Sequence, residues 1–239
     1  MSDTSHEIEK KILVSAKEME ELFKEFSKLA IGGEIKTKHR PRAYYDTKKR
    51  KLNRRRMALR VQHKGGTYEQ TLKYEVPGGK KGAMSRVEVK DILGEKQETP
   101  DISLIDDKEA KKLLEGLEGK KLRHVFTADV RRRYFSIPVM QGGEEIGVVE
   151  LAFDKGAVTH ADRKDLSAKV SEIEVELKSG DPAAVDIICA KILKQAPEAK
   201  LSAVSKAEAG FRLDAEAYPE KKPAEDALPR HRKGPNPKK

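Results

Sequence analysis

Carboxylates recur at every second position in two segments far apart in the chain. Glu172-Ile173-Glu174-Val175-Glu176-Leu177-Lys178 alternates strictly, and Glu7-Ile8-Glu9-Lys10-Lys11 sets Glu7, Glu9 and Lys11 on one face. In a strand, alternate side chains point to opposite sides. Each segment therefore has one acidic face and one largely apolar face. Turned to water, these carboxylates are ordinary sheet surface. Turned to a shared interior, they converge, and such a cluster needs a divalent metal or a cationic partner. Other segments follow the same alternation. Arg60 aligns with Gln62, Glu69 with Thr71 and Lys73, Arg86 with Glu88 and Lys90, and Arg131 with Arg133. Glu150 and Asp154 align against Val149, Leu151 and Phe153. Arg132 is out of phase with its neighbours and is expected on the outside.

Eight strands must position these side chains. Period-two patterning predicts them near residues 6–14, 35–45, 57–64, 67–75, 85–93, 123–137, 144–154 and 170–179. Lys64-Gly65-Gly66-Thr67 reads as a hairpin turn between the third and fourth. Helices are predicted at 17–30, stopped by Gly32-Gly33, at 106–117, from Asp181-Pro182 to about residue 195, and over 205–210. One strand with a charged face is ordinary; eight with faces of mixed sign suggest a different solution. The expected fold is α+β: a closed eight-stranded antiparallel β-barrel, helices on its apolar outside, charges within. A barrel of that size has room for side chains or one small ligand.

Composition agrees with a charged interior. Of 239 residues, 37% are hydrophobic and 38% charged, a lean core for the length. The one cysteine, Cys189, lies in an apolar helical run and reads as a packing thiol. No apolar stretch is long enough for a membrane span and no signal segment opens the chain, so a cytoplasmic location is expected. The formal net charge of +10 attracts anions. Part of it sits in Lys48-Lys49-Arg50-Lys51 and Arg54-Arg55-Arg56, a loop for anion steering, nucleic-acid contact or plain solvation. Another part sits in the Pro- and Lys-rich tail 219–239, expected to be a solvated appendage to a single domain over 1–218.

In chain order, the blocks resemble the CYTH superfamily, the triphosphate tunnel metalloenzymes. Glu7-x-Glu9-x-Lys11 is similar to its opening signature. Tyr44-Tyr45-Asp46-Thr47, Leu59-Arg60, Thr71-Leu72-Lys73, Arg86-Val87-Glu88, Arg131-Arg132-Arg133, Glu150 to Asp154, Glu172 to Glu176 and Ser205-Lys206-Ala207 follow. Within the superfamily the likeness is to bacterial inorganic triphosphatases. A linear triphosphate needs cations on many sides, and the candidates are Lys11, Arg60, Lys73, Arg86, Arg131, Arg133 and Lys206. Candidate metal ligands are Glu7, Glu9, Glu172 and Glu174, then Glu88, Glu150, Asp154 and Glu176. The resemblance implies two ions, Mg²⁺ or Mn²⁺, one on the triphosphate and one positioning the attacking water. Glu7, Glu9, Lys11 and Glu174 are the expected catalytic set. Two positions depart from the family pattern: Gln62 stands where a second arginine is usual, and Lys90 where a further acid is common.

The resemblance leaves several readings open. The leading one is hydrolysis of tripolyphosphate to pyrophosphate and orthophosphate. The same fold accommodates an organic triphosphate (a nucleotide, thiamine triphosphate or an RNA 5′ end), as hydrolase or as cyclase. A non-catalytic polyphosphate- or RNA-binding module is a third reading, supported by the basic loop and tail. Aromatic residues at 5% and the absence of tryptophan favour a plain phosphate chain.

Overall fold

The computed structural model describes residues 3–75 and 84–219. Residues 220–239 of the expected tail lie outside them, as does the side chain of Arg86. In chain order the elements are β1 (Asp3–Leu13), α1 (Ala16–Phe26), β2 (Lys36–His39), β3 (Arg42–Thr47), α2 (Lys51–Arg54), β4 (Met57–Lys64), β5 (Thr67–Glu75), β6 (Met84–Gly94), α3 (Lys108–Leu114), β7 (Leu122–Gln141), β8 (Glu144–His160), β9 (Ser167–Gly180), α4 (Ala183–Gln195), β10 (Lys200–Ser202) and α5 (Lys206–Ala217). The architecture is α+β, and every described strand pairing is antiparallel.

Among the described residues the sheet has ten strands rather than the expected eight. Its path runs β10-β1-β6-β5-β4-β3-β7-β8-β9, with β2 alongside β7. The path has ends at β10 and β9, so the sheet is not a plain eight-strand ring, although β1 pairs with β9 as well as with β6. The expected strand at 35–45 divides at Arg40-Pro41. Proline has no N–H for a ladder, and β2 and β3 dock separately along the 20-residue β7. The short β10 carried no sequence signal of its own. β1 divides its pairing: Asp3–Glu9 lies against β6, while Glu9–Leu13 lies against β9. The expected turn at Gly65-Gly66 is present, with φ of +60° and +88°, values that cost glycine little and other residues much.

The apolar faces of the strands are covered by helices. Phe135, Ile137, Val139, Val149, Leu151, Phe153, Ile173 and Val175 pack beneath α1 and α4. Ser15 caps α1 in a reciprocal box with Glu18. A second cluster under α3 joins Leu59, Leu72, Val87 and Val89 to Leu114 and Leu117. Cys189 is buried in the first cluster, and burial pushes its thiol up to about 12, fitting a packing role.

α5 is the helix that matters for the interior. Ser205 caps it by accepting a hydrogen bond from the Glu208 N–H. It does not end at Gly210 as expected but continues to Ala217. Gly210 is there for packing: a Cβ would sit 2.3 Å from the Phe126 ring. Near the far end, Asp214 is fully buried. It accepts hydrogen bonds from Arg50 Nε at 2.6 Å, Arg123 at 2.8 Å and His160 Nε2 at 3.2 Å.

Gly210→Ala sets two effects against each other. Alanine improves helix propensity by about 1 kcal/mol. Overpacking costs about 1–3 kcal/mol, and the Phe126 contact is short enough for it to win. We expect a net loss of about 1–2 kcal/mol in urea unfolding, restored in part by Phe126→Leu. Unchanged or increased stability would show that α5 does not lie this close to β7.

Candidate active site

The inward faces of the strands surround a cavity of about 830 Å³. Its lining is almost wholly charged and polar, as the alternation required. Glu7, Glu9 and Lys11 enter from β1, Glu150 from β8, and Glu174, Glu176 and Lys178 from β9. Arg60 and Gln62 enter from β4, Glu69, Lys73 and Glu75 from β5, Glu88 and Lys90 from β6, and Arg132 and Tyr134 from β7. Lys38 and Arg42 line it from β2 and β3, Arg40 from the link between them, and Lys206 from the first residue of α5.

Glu174 is the best-connected group. Its Oε1 accepts from Lys11 Nζ at 2.6 Å and Lys206 Nζ at 2.9 Å, and its Oε2 accepts from Arg132. Burial works against its ionised form, but Arg132, Lys11 and Lys206 together outweigh burial and hold its carboxyl well below the usual range. Lys206 also bridges to Asp154 Oδ2 at 2.6 Å and to Glu172. Arg132 forks onto Asp154, with Nε at 2.7 Å and its second nitrogen at 2.6 Å. Oxygens of Asp154, Glu172 and Glu174 lie within 4.8 Å of one another. Burial, with Glu174 nearby, raises Glu172, so the group shares its charge unevenly.

A second set lies across the cavity. Lys73 reaches Glu7 at 3.0 Å and also pairs with Glu88. Lys90 binds the other oxygen of Glu88 at 3.0 Å, and Arg60 stands 3.7 Å from it. Burial, then Arg60, lowers Lys73 to about 8. Burial and Arg60 likewise bring Arg42 down to about 10. Burial, Arg132 and Arg42 lower Lys38 to about 8. Glu176 moves up, first through burial and then, against the pull of Lys178, through Glu7 and Glu150.

Two expected phosphate ligands face the wrong way. Arg131 is exposed, and Arg133 lies over the Phe23 ring at 3.8 Å and binds Glu20 at 2.8 Å. Arg132, expected outside, is the arginine that faces the interior. The parity was legible: Phe135, Ile137 and Val139 are the apolar set on β7, so odd positions face the helices there. Lys38, Arg40 and Arg42 were also missed. Their signal was the run Lys36, Lys38, Arg40, Arg42 at every second residue. The basic loop is partly structural, since Arg50 is buried on Asp214 and Arg55 donates to the Leu113 and Glu115 carbonyls.

The CYTH domain pattern matches residues 5–211. The chain belongs to the CYTH family. No curated protein sequence matches it. Among solved structures, this CYTH chain is similar to HpAC1 from Hippeastrum, named as an adenylyl cyclase candidate with a dominant triphosphatase activity. That likeness has a TM-score of 0.55 at 16% identity and covers 88% of this chain and 96% of that one. An adenylate cyclase candidate from Bacillus halodurans has a TM-score of 0.50 at 20% identity, covering 80% and 89%. At these identities the likeness is one of fold.

The Glu174 network fixes an acid-side stability change. A carboxyl held low in the fold contributes stability above its unfolded pKa, about 4.3. That contribution is lost as pH falls through the lower folded value. Glu172, raised in the fold, opposes it with a smaller reach. Glu174→Gln should therefore cost roughly 3 kcal/mol at neutral pH and flatten the decline below pH 4. Urea midpoints between pH 3 and 7 test this, and a decline as steep as in the parent protein would disprove it.

Proposed function

We propose that this CYTH chain hydrolyses inorganic triphosphate to pyrophosphate and orthophosphate, with its charged cavity acting as a tunnel. One observation carries the reading. Five of the lining carboxylates (Glu7, Glu9, Glu150, Glu174, Glu176) lie on β1, β8 and β9, and most of the cations lie on β2 to β7 and α5 with Glu69, Glu75 and Glu88 among them, so the cavity has a sector richer in acid facing one richer in base. Few ligands other than a metal-complexed polyanion fit both. β1 pairing with both β6 and β9 supports a ring of eight strands around that cavity, with β10 and β2 appended.

The acidic sector suits a hard divalent ion. Its donors are all oxygens, without histidine or cysteine, as Mg²⁺ and Mn²⁺ prefer. The Asp154–Glu172–Glu174 triad is largely neutralised by Lys11, Lys206 and Arg132. Glu7, Glu150 and Glu176 are less so, and Glu176 moves up in part because the other two are near. Glu7, Glu150 and Glu176, with Glu9 beside them, would hold one or two ions. Such an ion supplies charge neutralisation on phosphate oxygens and lowers the pKa of bound water.

The chain's own groups do the rest. Arg60, Lys73, Lys90 and Arg132 hold phosphate oxygens and stabilise the charge that grows on the leaving phosphate. Lys11 and Lys206 keep Glu174 ionised and fix its position. Exclusion of bulk water by the cavity wall strengthens each of these contacts.

Orthophosphate release from tripolyphosphate should be fast, abolished by EDTA and well above release from ATP. A preference for ATP would move the reading to an organic triphosphate. Arg132→Ala should lower kcat/KM by about 10²-fold, whereas Arg131→Ala should stay within about twofold. Equal losses would return the phosphate contact to the residues that alternation favoured. Removal of residues 219–239 should leave turnover of tripolyphosphate intact.

A further inference from the structure

Among the described residues, the β2–β3 wall of the cavity carries cations that form no ion pair with a carboxylate. Most other interior cations have an acidic partner: Lys11 and Lys206 at Glu174, Arg132 at Asp154, Lys73 and Lys90 at Glu88. Lys38, Arg40 and Arg42 line the same cavity. Among the described residues, no carboxylate lies within ion-pair distance of any of the three.

Arg42 has a neutral partner instead. Its Nε donates to Gln62 Oε1 at 3.3 Å, the residue directly opposite it in the β3–β4 ladder. That amide is fixed from behind: Gln62 Nε2 donates to Glu69 Oε1 at 2.7 Å, and Lys64 neutralises Glu69 at 2.9 Å. The chain of contacts from Lys64 through Glu69 and Gln62 orients the guanidinium without cancelling its charge. Arg60, paired with Glu88 at 3.7 Å, still has its Nε buried without a hydrogen-bond partner. Like charges gathered in a half-buried wall weaken the fold that contains them. An incoming anion with several oxygens relieves that repulsion and gives the arginine fork its acceptors.

We propose that Arg42, oriented by Gln62, and Lys38 near it form an anion subsite that binds a phosphate group of the substrate chain. The proposal rests on the triphosphate reading above and adds to it two substrate-binding residues and one positioning residue. A glutamate at position 62 would close the subsite by neutralising Arg42. The glutamine found there keeps the charge available.

Stability and binding should respond in opposite directions, which a purely structural role does not produce. Arg42→Met and Lys38→Met are melted in phosphate-free buffer and titrated with tripolyphosphate by calorimetry in EDTA. Each should melt at or above the parent temperature yet bind tripolyphosphate roughly ten- to a hundredfold more weakly, as expected for lost charge-assisted hydrogen bonds. Arg42→Lys should recover part of the affinity, and Gln62→Glu should lose it. Parent-like affinity in Arg42→Met, or a lower melting temperature with parent-like affinity, would overturn the subsite. A parent protein that binds tripolyphosphate but never hydrolyses it with Mg²⁺ or Mn²⁺ would retire the hydrolase reading and leave the subsite standing. A parent that does not bind it would remove both.

Discussion

Charge buried beside opposite charge is the constraint on which this structure depends. An unpaired carboxylate at the depth of Asp154 or Glu174 is prohibitively unfavourable. Lys11 arrives from β1, Arg132 from β7 and Lys206 from α5, so three elements distant in sequence must meet at one point. Hydrophobic packing fixes the outside of the sheet under α1, α3 and α4. The interior is fixed by ion pairs, whose geometry tolerates less error than apolar contact. α5 carries this logic at both ends, with Lys206 in the cavity and Asp214 on Arg50, Arg123 and His160.

The same pairing divides the cavity into two kinds of wall. Around Glu174 the protein supplies its own counterions, and the charges are close to balanced. Along β2 and β3 it does not, and positive charge accumulates. The first wall resembles a completed salt lattice; the second is an electrostatic vacancy. A ligand entering such a space finds an attractive surface already oriented, and little of its binding energy goes into arranging side chains.

Much of this was legible in the alternation of residues. Glu7, Glu9 and Lys11, and Glu172, Glu174 and Glu176, could face only one side once their apolar neighbours were assigned. The order of motifs placed the family. Legibility failed where alternation was ambiguous. Three consecutive arginines at 131–133 offer no internal phase, and only the apolar positions further along β7 set it. Pro41 hid a break that turns one expected strand into two. Gly210 looked like a helix stop because sequence alone cannot show the Phe126 ring pressed against it. Strand count is poorly encoded for a related reason: β10 is three residues long and is defined by its partner more than by itself.

The divided pairing of β1 bears on how the chain reaches this state. Its first half needs β6 and its second half needs β9, and Lys11 meets Glu174 across 163 positions. A polypeptide emerging from its N-terminus makes β1 first and its last partners nearly at the end. Contacts of such high sequence separation form slowly, because the loop they close must be ordered before they contribute. On that loop-closure argument the seam between β1 and β9 is expected to form late in folding.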